Sequence, residues 1–226
     1  MIDYHTHILP KMDDGSGSLR ESRMLLEEER AFGIDSVVLT PHFYANQNSP
    51  RRFLERREGA WNRLQDALGP DVPQAILGAE VQYFPGICQC DELESLTISG
   101  TRFLLLEMPF QRWDNQVLQD VYFLAQSGEL QIVLAHVDRY YSDQPHEIWQ
   151  DLFDAGIFMQ LNASAFHGFG RRRRYLQFLR NGWVQMLGSD CHNMAARRPN
   201  WDLVPKEAPG LALENLKKAI QRFGRL

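Results

Sequence analysis

Imidazoles and carboxylates recur in this sequence immediately after short apolar runs. Five of the seven histidines do so: His5 and His7 in Asp-Tyr-His-Thr-His, His42 in Leu-Thr-Pro-His, His136 in Val-Leu-Ala-His and His192 in Gly-Ser-Asp-Cys-His. Glu80 follows Ile-Leu-Gly-Ala, Glu107 follows Phe-Leu-Leu-Leu, and Asp190 follows Leu-Gly-Ser. The pairs His5/His7 and Asp190/His192 are spaced i, i+2, which turns both members to one side of an extended strand. Neutral imidazole together with carboxylate suits Mn²⁺, Fe²⁺ or Zn²⁺, and the lack of a cysteine cluster argues against a structural zinc site. With Asp14 the candidates number nine, more than the roughly four to six protein atoms that satisfy one ion, so two or three metals are expected. Three divalent ions set against the carboxylates of Asp14, Glu80, Glu107 and Asp190 leave about two positive charges, a balance that favours a phosphate dianion over a neutral substrate. A lone His-x-His is more often structural than metal-binding. The whole set has no ready structural explanation, because that many unpaired buried charges would be very costly.

Positioning such residues requires strands whose ends share one mouth, as in α/β barrels. Seven apolar runs read as buried strands, at 2–8, 35–40, 74–79, 101–106, 131–135, 157–161 and 184–188, and they alternate with segments of helical period. Helices are expected around 50–68, 115–127, 146–155, 171–181 and 213–223. Ser18-Leu-Arg-Glu21 reads as a capping box that starts a further helix running to Gly33. The stretch 108–115 reads as a loop. No linker or internal repeat interrupts the pattern, so a single α/β domain over 1–226 is expected.

With 226 residues the chain can bury one sizeable core, and its 44% hydrophobic and 23% charged content excludes a disordered or low-complexity protein. The net charge of −5 argues against a sequence-independent nucleic-acid binder. Three cysteines, Cys88, Cys90 and Cys191, make no disulfide framework and point to a reducing compartment. Cys88 and Cys90, with no partner pair, make no zinc knuckle. Asp3, His5 and His7 follow the first methionine where a signal peptide would carry a basic region, and no apolar stretch approaches a membrane span. A cytoplasmic protein without membrane insertion is expected.

Read in order, Met-Ile-Asp-Tyr-His5-Thr-His7, Asp13-Asp14-Gly15, Thr-Pro-His42, Gly-Ala-Glu80, Leu-Leu-Glu107, Ala-His136-Val-Asp-Arg139-Tyr and Ser-Asp190-Cys-His192-Asn resemble the polymerase and histidinol phosphatase (PHP) superfamily. The Asp-Asp-Gly element, His-x-x-Arg-Tyr and the late Arg197-Arg198-Pro199 resemble, more narrowly, the bacterial manganese-dependent protein-tyrosine phosphatases encoded with capsule and exopolysaccharide genes. That resemblance implies a distorted (β/α)₇ TIM-like barrel and three metal ions, with Mn²⁺ ahead of Fe²⁺ or Zn²⁺. It implies one ion on His5, His7, Glu80 and Asp190, a second on Glu80, Glu107 and His136, and a third on Asp14, His42 and His192. It also nominates Arg139 and Arg197 as phosphate contacts, a role that suits the planar guanidinium fork. The implied reaction is hydrolysis of phosphotyrosine by a metal-activated water, with no phosphoenzyme. The implied partner is a phosphotyrosine-bearing protein, the tyrosine-rich tail of a bacterial kinase that controls polysaccharide export. Lys11-Met12 and Ala195-Ala196 depart from the family pattern without removing a ligand.

Three rival readings compete. Cys191-His-Asn-Met-Ala-Ala-Arg197 fits the Cys-x₅-Arg loop of cysteine-dependent tyrosine phosphatases, although it holds no glycine and Asp190 adjoins the thiol. Histidinol-phosphate phosphatase shares the metal site and differs in the pocket. A non-catalytic PHP-like regulatory module is a different class, and such modules often lose ligands that are all present here. The arginines of 171–174, with 51–52 and 56–57, read first as solvated helix faces. Alternatively they form a nucleic-acid patch, or they serve a phosphorylated tail together with Phe43, Tyr44 and Trp113 at the rim of the cleft. His146 and His167 read as surface residues.

Overall fold

The computed structural model describes residues 1–90 and 92–223. Its strands are β1 (Ile2–Thr6), β2 (Ser36–Leu39), β3 (His42–Phe43), β4 (Gln74–Leu77), β5 (Glu80–Gln82), β6 (Phe103–Glu107), β7 (Gln131–Leu134), β8 (Phe158–Asn162) and β9 (Met186–Gly188). The helices are α1 (Leu19–Ala31), α2 (Pro50–Gln65), α3 (Asn115–Ser127), α4 (Ile148–Asp154), α5 (Phe169–Arg180) and α6 (Ala208–Phe223). All the strand pairings are parallel, in the order β1-β2-β4 and β3-β5-β6-β7-β8-β9.

Two of the seven expected runs, 35–40 and 74–79, are each followed after a break by a further short strand that the sequence reading did not include. Between β2 and β3 stands Pro41, which has no N–H to give to a ladder, and between β4 and β5 stands Gly78, whose N–H reaches back to Leu39 O at 2.9 Å. The breaks lie side by side, so β3 and β5 restart together. Their register then sets His42 opposite Glu80. At the other side β1 meets the chain beyond β9: His7 N–H donates to Cys191 O at 2.9 Å and Asp190 N–H to His5 O at 2.8 Å.

Alternation along the strands sorts the core. Leu104, Leu106, Ile132 and Leu134 join the larger apolar cluster with helix residues such as Leu25, Phe53, Val121 and Leu152. The intervening Leu105, Val133, Phe158 and Met186 form a smaller cluster with Leu216 and Ala219 of α6. Further along that second face polar residues lead to the site: Glu107 lies two beyond Leu105, Gln160 two beyond Phe158, and Asp190 four beyond Met186.

Local signals place the helices well. The Ser18 hydroxyl accepts the Glu21 N–H at 3.2 Å, and the Glu21 carboxylate accepts from Gly17 N–H at 2.9 Å, one residue further out than a capping box requires. Helix α6 begins at Ala208, earlier than the 213 expected, because Pro209 falls in the first turn, where a missing N–H costs nothing. Among the described residues no helix is long and apolar enough to cross a membrane.

Candidate metal centre

The nine candidate side chains, drawn from strand ends throughout the chain, meet around Glu80. Its Oε2 lies 3.2 Å from His5 Nε2, 3.2 Å from His7 Nε2 and 2.9 Å from His42 Nδ1. Its Oε1 lies 2.8 Å from His136 Nε2, which is in turn 3.4 Å from Glu107 Oε1. Asp190 Oδ1 stands 3.5 Å from His7 Nε2 and 3.7 Å from His5 Nε2, while Asp14 Oδ1 reaches His192 Nε2 at 3.4 Å and His42 Nε2 at 3.6 Å. Glu80, His5, His7, His136 and His192 are fully or almost fully buried, whereas the Asp14 side chain is 63% exposed and marks the open side.

Both nominated arginines reach this cluster. Arg139 donates to Asp190 Oδ2, and Arg197 donates to Asp190 Oδ1 at 3.0 Å while its other terminal nitrogen stands 3.5 Å from Asp14 Oδ2. Each of these arginine side chains is 35% exposed, and Arg197 stands beside the exposed Asp14.

The partners of the outer ring nitrogens assign the tautomers. His5 Nδ1 meets Gln160 Oε1 at 3.1 Å, His7 Nδ1 meets Asp13 Oδ2 at 2.7 Å, and His192 Nδ1 meets the Asp190 carbonyl at 3.0 Å. Each of those oxygens is an acceptor, so each Nδ1 carries the hydrogen and each Nε2 presents a lone pair inward. His5 Nε2 and His7 Nε2 then face each other at 3.1 Å. Two lone pairs so close repel unless a cation stands beside them. Glu80 Oε2, His42 Nδ1 and His192 Nε2 are likewise buried without a hydrogen-bond partner, an arrangement native interiors avoid when nothing else binds there. The donor set therefore fits divalent metal.

Electrostatics agree. Burial alone would raise the Glu80 carboxyl, but the imidazoles packed around it, His5 first, hold it well below the usual carboxylate range, in the anionic form that a cation needs. Asp190 is also lowered: burial opposes this, and His5, Arg139 and His7 outweigh it. Burial, reinforced by the His7 ring stacked on it at 3.9 Å, pulls His192 down to about 3, which keeps its ring neutral and its Nε2 available.

The backbone is bent to achieve this convergence. His136 and Asp190 adopt left-handed conformations with φ of 31° and 54°, a cost of order 1–3 kcal/mol each that surrounding contacts must offset. Gly188 is required by close approach, since a Cβ there would stand 2.6 Å from the His5 Cβ. At Gly15 a Cβ would stand 2.2 Å from His7 O.

Three groups of candidates hold ligand atoms within 4.8 Å of one another: His7, Asp14, His42 and His192; His5, His7 and Asp190; and His42, Glu80 and Glu107. The division implied by the resemblance differs. There His7 serves only the ion of His5, whereas here it also joins Asp14 and His192, and His42 stands with Glu80 and Glu107.

Several contributors escaped the sequence reading. Asp13 orients His7 and also accepts the His42 N–H at 2.8 Å; burial opposes its ionisation, yet His7 and the backbone donors of His42 and Gly15 bring its carboxyl down to about 2. Gln160 holds His5 and the His136 N–H, and Asn162 donates to Asp190 Oδ2 at 3.0 Å. Two polar residues in the fully buried strand β8 were the available signal. The expected rim aromatics need correction. Phe43 and Trp113 are buried, Phe43 against Phe53 and Trp113 against Tyr140 and Trp149, and Tyr44 is half-buried. The exposed ring is Phe110, at 56%, stacked on His136 with 5.7 Å between centroids, while Tyr44 stacks on His42 at 5.1 Å. Cys191 is fully buried, and burial with the neighbouring Glu29 and Asp3 pushes its thiol well above the normal range. A nucleophilic thiolate is excluded there. His146 and His167 are exposed, as expected.

Comparison with known proteins agrees with this geometry. The chain is 27% identical over 245 residues to the tyrosine-protein phosphatase CpsB of Streptococcus pneumoniae, covering 97% of this chain and 98% of that protein. It is 27% identical over 206 residues to the tyrosine-protein phosphatase YwqE of Bacillus subtilis, covering 87% and 79%. Among solved structures, one reported with YwqE from Bacillus subtilis and CpsB from Streptococcus pneumoniae, described as metal-dependent tyrosine phosphatases, superposes with a TM-score of 0.74 at 24% identity, covering 99% of this chain and 88% of that one. The histidinol phosphate phosphatase of Lactococcus lactis, solved with zinc, L-histidinol and phosphate, shares the fold at a TM-score of 0.57 and 15% identity, covering 96% and 93%. The model of the capsular polysaccharide synthesis CpsB/CapC family matches residues 1–206, and the chain belongs to that family.

Proposed function

We propose that this chain is a metal-dependent protein-tyrosine phosphatase acting in capsular polysaccharide synthesis. The observation that carries the reading is the convergence of inward-facing imidazole nitrogens and carboxylates on Glu80, with Arg139 and Arg197 poised at the open side. The relatives named tyrosine-protein phosphatases supply the substrate class.

Three overlapping ligand groups, drawn from His5, His7, Asp14, His42, Glu80, Glu107, Asp190 and His192, support three ions, and His136, which lies outside those groups but 2.8 Å from Glu80 and 3.4 Å from Glu107, completes the nine ligands, with Mn²⁺ the expected metal. When bound, divalent cations supply an activated water and neutralise charge on the phosphoryl group. Arg139 and Arg197 would turn from Asp190 to the non-bridging phosphate oxygens, each offering two parallel N–H donors. Asp13 and Gln160 hold the His7 and His5 rings in the tautomer that keeps Nε2 free. Phe110 and Tyr44, stacked on His136 and His42, offer aromatic faces to the phenyl group of the substrate. A phenol of pKa about 10 leaves more readily than an alkanol, so its departure needs less proton donation.

The wider reading follows the resemblance: a single (β/α)₇ barrel domain, with the broken runs β2/β3 and β4/β5 each counted once, working in the cytoplasm on the phosphorylated tail of a tyrosine kinase. The test is an assay of the purified protein with Mn²⁺ on a phosphotyrosine peptide and on histidinol phosphate, with and without chelator. Hydrolysis of the peptide, lost on chelation and restored by Mn²⁺, is expected. Preference for histidinol phosphate, absence of turnover on both, or turnover that survives chelation and fails in Cys191→Ser would each overturn the assignment.

A further inference from the structure

Four of the nine candidate ligands, His5, His7, Asp190 and His192, sit on two segments that few main-chain bonds join. Among the described residues β1 and the chain beyond β9 share an isolated bridge, Thr6 with Cys191, in place of a continuous ladder. The Asp3 carboxylate fills the role of a strand acceptor there. Its Oδ1 accepts from the His5 N–H at 3.0 Å and from the Ser189 N–H at 3.0 Å, with Oδ2 3.2 Å from the same Ser189 nitrogen. The Ser189 hydroxyl oxygen in turn accepts the Cys191 N–H at 3.2 Å. One side chain therefore ties a ligand of β1 to the residue before Asp190.

Asp3 is fully buried, and so is Glu29 of α1, whose carboxyl comes within hydrogen-bonding reach of the Asp3 carboxyl. Glu29 Oε2 accepts the Trp201 indole N–H at 2.9 Å, whereas Oε1 is buried with no donor to bind. Two carboxylates so placed repel, and the Ser189 hydroxyl that stands against both has one hydrogen to give. A proton on Glu29 Oε1, donated to Asp3, removes the conflict. Asp3 then stays the acceptor that two N–H groups require. Burial and the charge of Asp3 both push the Glu29 carboxyl well above the usual range.

We infer that Asp3, braced by a neutral Glu29, is a positioning residue of the metal centre, which sets the spacing between the His5/His7 strand and the Asp190/His192 segment and so fixes the ion held among His5, His7 and Asp190. The inference rests on the metal-dependent reading above. A carboxylate suits the task because it accepts charge-assisted hydrogen bonds from two N–H groups at once, and a buried one has little freedom to give them up. Asp13 and Gln160 act on the ligands through their rings; Asp3 acts through their main chain.

The test measures bound metal as well as turnover. In Asp3→Ala both N–H groups lose their acceptor, and the folded protein is expected to retain about one Mn²⁺ fewer per chain after dialysis, with affinity for that ion down about 10- to 100-fold and an altered Mn²⁺ electron paramagnetic resonance spectrum. Asp3→Asn keeps an oxygen for the N–H groups and an amide that can meet Glu29, so affinity within about 3-fold of wild type is expected. Leu216→Ala is the control, since it loosens the far end of the sheet and should leave metal content per folded chain unchanged. Unchanged metal binding in Asp3→Ala, equal weakening of every bound ion, or a loss in Asp3→Asn as large as in Asp3→Ala overturns the inference.

Where Asp3→Ala fails to fold, Glu29 decides. Glu29→Gln can still accept from Trp201 and donate to Asp3, so Mn²⁺ affinity within about 2-fold of wild type is expected, while the infrared band of a protonated carboxyl, present in wild type at neutral pH, should be lost. Absence of that band in wild type, or Mn²⁺ binding about 10-fold weaker in Glu29→Gln, overturns the inference. If wild type binds no Mn²⁺, the metal reading falls. The infrared band and slow hydrogen exchange at the His5 and Ser189 amides then still support Asp3 as the tie between the two segments, and fast exchange at both overturns it.

Discussion

The two ends of one sheet face obey opposite rules. At the floor, Leu105, Val133, Phe158 and Met186 pack against Leu216 and Ala219 of α6, with every contact apolar and interchangeable in kind. At the mouth, a few residues further along the same strands, buried Glu80, His42 and His192 leave polar atoms without hydrogen bonds, and His136 and Asp190 sit in left-handed backbone. A floor residue earns its place by volume. A mouth residue is held in a conformation unfavourable by itself, so its contribution must be measured as chemistry rather than as stability.

The largest effect should come from removing the centre of the mouth. Glu80→Gln, keeping volume while removing charge, is expected to lower kcat on a phosphotyrosine peptide by more than about 100-fold and to reduce bound Mn²⁺ by elemental analysis, with the fold intact by circular dichroism. Retained metal and activity would break the contrast between the two ends.

Next in size is the residue that orients His7. Asp13→Asn keeps the hydrogen-bond reach of the side chain but loses its charge, and a drop of about 10- to 100-fold in metal affinity or activity is expected. Metal titration followed by turnover checks it. The floor should respond in the other currency: Leu216→Ala is expected to cost about 2–5 kcal/mol in urea unfolding, with kcat per folded, metal-loaded molecule unchanged. Gly188→Ala lies between the two ends and sharpens the comparison. Its Cβ would press on His5 and Gln160, so loss of about 1–3 kcal/mol in stability together with weakened metal binding is expected. The smallest effect is at the rim, where Phe110→Ala should raise KM for aryl phosphates by about 2- to 10-fold, the equivalent of one aromatic contact, and leave alkyl phosphates unaffected.

Much of the site was legible in the sequence because a strand end is a local event. An apolar run followed by His or Glu announces both the element and its terminus, and the i, i+2 pairs His5/His7 and Asp190/His192 announce a shared direction. The capped start of α1 and the span of α3 were equally local. What stayed hidden depends on neighbours distant in the chain. Phe43 and Trp113 looked like rim aromatics and are core, because Phe53, Tyr140 and Trp149 pack on them. Phe110 had no sequence signal, since its exposure follows from the path of a loop that Gln144 ties down through Trp113 N–H and Gln111 O. The aligned breaks at Pro41 and Gly78 became meaningful only when the two strands lay side by side.

By itself, the order of amino acids determined the kinds of group available, the parallel α/β plan that brings strand ends together and the expectation of a divalent cluster, because hydrophobic period and ligand chemistry are carried by near neighbours. Tertiary structure alone decided which nitrogen of each imidazole points inward, which carboxylate lies at the centre, and how the arginines of α5 divide between an ion pair to Asp138 and open solvent. Those outcomes depend on hydrogen bonds such as Gln160 to His5 and Asp13 to His7, and on angles around a helix, and they exist only once residues far apart in the chain have been packed together.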